Sequence, residues 1–214
     1  KHVDYMFQTP TTRVWNEMYR AGELNAAQAK FWQNKPVEEL FDLQNDPDEI
    51  SNLADSPAHR EKTAELRNTL QTWMRETLDL GLLPEAEMHR LAGSQSPREY
   101  ALRHKELFAR LSDVAFHSMD QSNGYSIQKL VKLSTDPQSG IRFWAVRGLA
   151  TRSATDTKRN KALIAASDDE SPSVAITACD GLLSNESSST RRNAVEQLIE
   201  LADVNRHGHF AAVA

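Results

Sequence analysis

Shifted by 33 residues, the C-terminal half of the chain falls on itself without a gap. Leu130-Val131 lands on Leu163-Ile164, Ser134 on Ser167, Asp136 on Asp169, Ile141 on Val174, Ala145 on Ala178 and Gly148-Leu149 on Gly181-Leu182. A gapless period of this length means one supersecondary unit repeated, because each unit must present the same face to its neighbour. In each copy one helix ends in Asp-rich turn residues with Pro137 or Pro172. A second helix then places small or apolar residues at i, i+3, i+4, i+7 and i+8: Ile141, Trp144, Ala145, Gly148, Leu149, and again Val174, Thr177, Ala178, Gly181, Leu182. Two helices per unit, small where they must approach closely, predict an α-solenoid over residues 123–214. It holds two full copies and a truncated third, which begins at "RRNAVEQLIELAD" with a two-residue insertion.

The N-terminal half also reads mainly as helix. Thr9-Pro10 opens a helix with Val14, Trp15, Met18 and Tyr19 on one face and Gly22 as its stop. Asn25 and Gln28 form a capping box for a second, short helix. "VEELFDL", residues 37–43, is the one strand candidate, introduced by Pro36. A lone strand makes no sheet, so its pairing partner is expected outside the chain, or the segment is simply extended. Ser56-Pro57 then starts a helix whose stripe is Leu66, Leu70, Trp73, Met74 and Thr77, ending near Gly81. Ser96-Pro97-Arg98-Glu99 caps another, which carries Tyr100, Leu107, Leu111 and Val114 to about Met119. The expected domains are 1–92, a linking helix within 93–122, and the repeats at 123–214. Both ends read as cuts: no initiator Met or signal peptide opens the chain, and "HGHFAAVA" closes it without a helix stop.

Charge excludes one class of partner. The chain has 25 basic and 30 acidic residues, interspersed, for a net charge of −5 and no basic block to neutralise a run of phosphates. Nucleic acid is not an expected partner. No apolar run approaches the roughly 20 residues a bilayer span needs, and the single cysteine excludes an internal disulfide.

Candidate chemistry resolves mostly into scaffold. Glu38, Glu39, Asp42, Asp46, Asp48 and Glu49 could suggest a calcium loop, but no Gly lies between Gly22 and Gly81 to make the sharp bend. A turn starting at Asp46-Pro47, with Asn52 or Asp55 capping the next element, fits the residues better. His207 and His209 supply two metal ligands at most where a catalytic zinc needs three. His2, His59, His89, His104 and His117 are scattered. Cys179 has no adjacent base to lower its pKa and reads as a small buried hydrophobe. Trp15, Trp32, Trp73 and Trp144 lie on or beside helical stripes and are expected in the core. No catalytic, cofactor-binding or metal-binding residue is assigned.

Two resemblances sharpen the reading. "DPQSGIRFWAVRGL", an Asp-Pro turn, an apolar-Arg pair and an Ala-rich helix, resembles a HEAT repeat; the second copy departs from it with Ala175 in place of Arg142. "PVEELFDLQNDPDEISNLADSP", with "AGELNAAQAKFW" before it and "LRNTLQTWMRETLDLGLLPEAEM" after it, resembles the C-terminal signature of bacterial type I sulfatases of the arylsulfatase and heparan-sulfatase-like type, over roughly residues 5–90. Phe41 stands where that family more often has Tyr. The family fold is an alkaline-phosphatase-like α/β domain with a smaller C-terminal subdomain. The resemblance therefore implies that residues 37–43 are a strand of that subdomain's sheet and 57–78 the helix packed on it. It also implies a parent enzyme, usually exported, that hydrolyses sulfate esters or sulfamates. The parent would use a calcium ion and a formylglycine made from the Cys of Cys-x-Pro-Ser-Arg. Cys179 is followed by Asp180-Gly181-Leu182 and does not match, so this chain is expected to be the non-catalytic C-terminal portion. Its partners would be the N-terminal catalytic domain of the same polypeptide and a protein or sulfated polysaccharide at the repeats. The alternative is a non-enzymatic helical-repeat scaffold or binding protein.

Overall fold

The computed structural model describes residues 4–121 and 124–212, and these residues are mainly helical, with no strand among them. The chain forms two compact units, Lys1–Arg67 and Asn68–Ala214.

The first unit is built from caps and rings more than from a core. A 3-10 turn at Asp4–Gln8 leads into α1 (Pro10–Ala21), which stops at Gly22. Gly22 takes the left-handed conformation, φ 72°, and its N–H reaches the carbonyls of Met18 and Tyr19. The capping box predicted for α2 (Ala26–Ala29) is present: Gln28 N–H donates to Asn25 Oδ1 at 2.9 Å, and Asn25 N–H donates to Gln28 Oε1 at 3.1 Å. Trp15 stacks on Phe31 at 4.8 Å and meets the edge of Trp32 at 5.3 Å, and its indole N–H donates to the Gln28 carbonyl. Tyr19 and Phe7 close the ring cluster on Trp32. Yet Thr63 is the single buried residue described in this unit, while Val14, Val37, Leu43 and Leu66 are exposed. Residues 37–43 form neither helix nor strand ladder; backbone bonds tie them to the following loop, from Leu53 N–H to the Leu40 carbonyl at 2.8 Å and from Asn45 and Asp46 N–H to the Asp42 carbonyl at 3.1 and 2.7 Å.

α3 (Arg60–Thr77) begins after a 3-10 turn at Pro57–His59. Ser56 occupies the N-cap position without making the capping bond; its hydroxyl lies 3.1 Å from His59 Nδ1 instead. The helix ends at Thr77, four residues short of Gly81, because Leu78 turns to φ 54° and Asp79 caps the next 3-10 turn through Gly81 N–H. The expected stripe on α3 is only partly inward. Leu66, Leu70 and Trp73 are 45%, 50% and 56% exposed, so the expectation that every Trp lies in the core is corrected at Trp73.

The second unit stacks helices. α4 (Glu85–Ala92), α5 (Pro97–Arg103) and α6 (Lys105–Met119) precede two helix pairs, α7 (Ile127–Leu133) with α8 (Ser139–Ala150) and α9 (Thr157–Ala166) with α10 (Pro172–Leu182). α11 (Ser188–Leu201) and the short α12 (Val204–His207) follow. The Ser96–Glu99 capping box holds the start of α5, and His104, off the helical conformation, divides α5 from α6. α6 packs on α8, α8 on α10 and α10 on α11, while α7 and α9 pack on their own partners and on each other. The first core gathers Leu82, Leu83, Phe108, Leu111, Ile141 and Ala145; because it joins 78–92 to α6 and α8, the compact unit begins well before residue 92. The next gathers Leu130, Val146, Leu149, Leu163, Val174 and Ala178. Each such buried aliphatic contributes about 1.5–3 kcal/mol, against about 0–1 for a surface ion pair, so the stack is held by its cores.

The repeated glycines sit where helices come nearest. A Cβ on Gly148 would lie 2.8 Å from the Ser118 carbonyl oxygen, and one on Gly181 would lie 2.8 Å from Ala150 Cβ. The small positions at this shared register are contact points between α6 and α8 at Gly148 and between α8 and α10 at Gly181.

Candidate functional site

The acidic stretch 37–57 folds on its own side chains. Asp42 accepts from Asn45 Nδ2 at 2.7 Å and from Gln44 N–H at 3.1 Å. Asp46 accepts from the backbone N–H groups of Ser51 at 2.7 Å and Ile50 at 3.0 Å. Asn52 Oδ1 accepts from Leu40 and Ala54 N–H while its Nδ2 donates to the Glu38 carbonyl, and Arg67 grips both oxygens of Glu38. The side-chain bond from Asn45 holds the Asp42 carboxyl below the usual range, and the Ser51 amide does the same for Asp46. These carboxylates are turn braces whose lone pairs face donors, as the turn reading predicts, and Glu49 takes the strained φ of 54° at the bend that no glycine supplies.

The other singled-out residues do not converge. Cys179 is fully buried on α10, and burial pushes its thiol up to about 11, which leaves it a protonated packing group at neutral pH. His207 is half-buried, with Nε2 making no hydrogen bond among the described residues; the side chains of His209 and His2 lie outside the described residues. No group of three or more His, Cys, Asp or Glu residues among those described could hold a metal ion. Cys179 is followed by Asp180-Gly181-Leu182 and so does not match Cys-x-Pro-Ser-Arg. Among the described residues no helix is long and apolar enough to cross a membrane.

The polar site that matters to the fold is one the sequence did not reveal. Glu87 on α4 is fully buried, and each of its oxygens takes two donors. Arg90 Nη2 and Ser139 Oγ donate to Oε1 at 2.6 and 2.5 Å, and Arg90 Nε and Ser171 Oγ donate to Oε2 at 3.0 and 2.8 Å. Burial alone would raise the Glu87 pKa; the bonds from Arg90, Ser139 and Ser171 outweigh it and lower the pKa, so the carboxyl stays ionised and is no proton donor. Ser139 is the first residue of α8 and Ser171 the N-cap of α10, so one carboxylate ties α4 to the starts of both second helices. Beside it, Arg142 spans the copies. It forks onto Asp169 at 2.7 and 2.8 Å, and its Nη1 donates to the carbonyls of Asp136 and Pro137. Arg159, fully buried, donates to the carbonyls of Leu149, Ala150 and Gly181. This arrangement positions helices.

No protein-family model matches the chain, and no solved structure matches it. Two curated proteins do, both ulvan-active sulfatases of Formosa agariphila. One is 38% identical over 87 residues, which is 40% of this chain and 15% of the relative; the other is 42% identical over 52 residues, 24% of this chain and 10% of the relative. The chain thus carries a sulfatase-related segment, and the match spans a small fraction of each relative's length.

Proposed function

We propose that the chain is the C-terminal, non-catalytic portion of a type I sulfatase polypeptide, joined to HEAT-like helical repeats that serve as a structural or interaction module. Its parent would hydrolyse sulfate esters or sulfamates with formylglycine and calcium held elsewhere in the polypeptide. The observation that carries the reading is the 38% identity over 87 residues, confined to 15% of a sulfatase. The first unit supports it. Residues 37–43 keep their backbone out of any ladder among the described residues, and Val37 and Leu43 are 68% and 62% exposed, as a strand waiting for a sheet would be. The shared register of α7–α8 and α9–α10, with Arg142 joining successive loops, supports the repeat module. The test is peptide mapping of the native product upstream of Lys1. A formylglycine-bearing Cys-x-Pro-Ser-Arg peptide in the same polypeptide is the expected result. Its absence would leave a helical scaffold without sulfatase activity.

A further inference from the structure

We infer that the outward side of α7 and α9 is a docking surface for a sulfated polysaccharide chain. The inference rests on the sulfatase reading above, which makes sulfate esters the substrate class, and the relatives that carry that reading are named for ulvan. The sequences of the two helices, IQKLVKL and TKRNKALIAA, contain no acidic residue, in a chain whose acids outnumber its bases by 30 to 25. Lys129 and Lys132 are exposed on α7, and Lys158 and Lys161 on α9. Both helices pack on α8 and on each other, burying Leu130, Leu133, Leu163 and Ala166. Their exposed sides are therefore turned the same way.

None of the four ammonium groups joins an ion pair with a described residue. The lysines found in ion pairs among the described residues are Lys35 and Lys62; Lys129 Nζ sits 5.5 Å from the Tyr125 ring centroid. Arg159 is turned inward onto carbonyls and adds nothing outside. With an interaxial distance of about 8–10 Å and a rise of about 1.5 Å per residue, the four charges fall in a patch on the order of 15 Å across. Asp156 is occupied as the cap of α9, and exposed Asp168 bounds the face beyond its C-terminal end.

The chemistry of the patch selects its occupant. Lysines are hydrated point charges on flexible stems, suited to a repeating polyanion held by charge density and not to one fixed sulfate held by a guanidinium fork. A nucleic acid single strand would want aromatic platforms for its bases. Neither helix has an aromatic residue, and neighbouring Tyr125 is engaged, its hydroxyl donating to Asp113 at 2.7 Å and its ring stacked on His117.

The test is affinity electrophoresis of the full chain in gels containing ulvan, chemically desulfated ulvan or single-stranded DNA. Two quadruple variants, K129A/K132A/K158A/K161A and K30A/K35A/K62A/K105A, lower the charge equally at exposed positions, and circular dichroism confirms that each is folded. Ulvan should retard the wild type and the second variant alike, while the first variant loses affinity by about tenfold or more and added salt abolishes the difference. Equal loss in both variants, equal retardation by desulfated ulvan or DNA, or no retardation of the wild type would overturn the inference. Peptide mapping upstream of Lys1 reports separately on the sulfatase reading, so a formylglycine peptide found with an inert lysine face would sink this inference alone.

Discussion

At the scale of the residue, Glu87 is the side chain on which most depends. Both of its oxygens are saturated by charged or hydroxyl donors inside the protein, so replacing it removes one group and strands three. Arg90 keeps partial access to water, which lowers the cost below that of a fully buried pair. Glu87→Ala should destabilise the second unit by about 2–4 kcal/mol, read as a lower urea midpoint at unchanged slope. The pH dependence has a fixed sign. A carboxyl whose folded pKa lies below its unfolded value contributes stability that is complete above the unfolded value, near 4.5, and is lost as pH falls through the folded one. Glu87→Gln should therefore flatten the acid limb of the stability curve below about pH 4.5 and leave the neutral-to-alkaline limb in shape. An unchanged acid limb would mean that the carboxyl is not held ionised. Arg142 is a comparable case: its side chain is 8% exposed and its fork on Asp169 joins one copy to the next. Arg142→Lys cannot rebuild the two-pronged contact and should behave nearly as Arg142→Ala, costing about 3 kcal/mol by the same urea measurement.

At the scale of the element, the helix starts and stops were largely legible, because capping chemistry is local. Asn25 with Gln28 and Ser96 with Glu99 make the boxes their spacing predicts, and Gly22 ends α1. The paired helices were legible because a 33-residue shift keeps Gly148 and Gly181 at the same register. Two things were not. Glu87 reads in sequence as one more acid among the surface charges of a helix, since the hydroxyls that bury it lie 52 and 84 residues away. The stripe of α3 has core periodicity, but periodicity reports a side that wants burial and not whether a partner is present; Leu70 and Trp73 face solvent. The glycines give a test that separates close packing from helix propensity. Gly→Ala in a helix interior gains about 1 kcal/mol when the site is open. At Gly148 the new methyl would meet a backbone oxygen at 2.8 Å, which cannot step aside as a side chain end could. Gly148→Ala should therefore cost a net 1–2 kcal/mol, roughly. A variant with a raised thermal midpoint would show that α6 and α8 are not held at this distance.

At the scale of the whole molecule, the two units differ in what holds them. The second has cores in which Leu130, Val146, Leu149, Leu163 and Val174 are fully buried, so its inner amides open only with the unit itself. The first has rings, caps and braced turns with Thr63 as its buried residue among those described, so little apolar area opposes local opening. Hydrogen exchange of the full chain should show peptides from α8 and α10 protected at least about a thousandfold more strongly than peptides from 33–56. Equal protection in both would mean that the first unit is completed by contacts other than those described. The same experiment bears on the proposed parent. Adding a sulfatase catalytic portion that pairs with residues 37–43 would supply ladder partners to a segment that makes no strand pairing among the described residues, and would cover Val37 and Leu43. Exchange should then slow across 37–53 with α8 and α10 unchanged, because those helices already exchange at the limit their own core sets. Slowing confined to α8 and α10 would instead place the partner on the stacked helices and remove the sheet-completing role from the first unit.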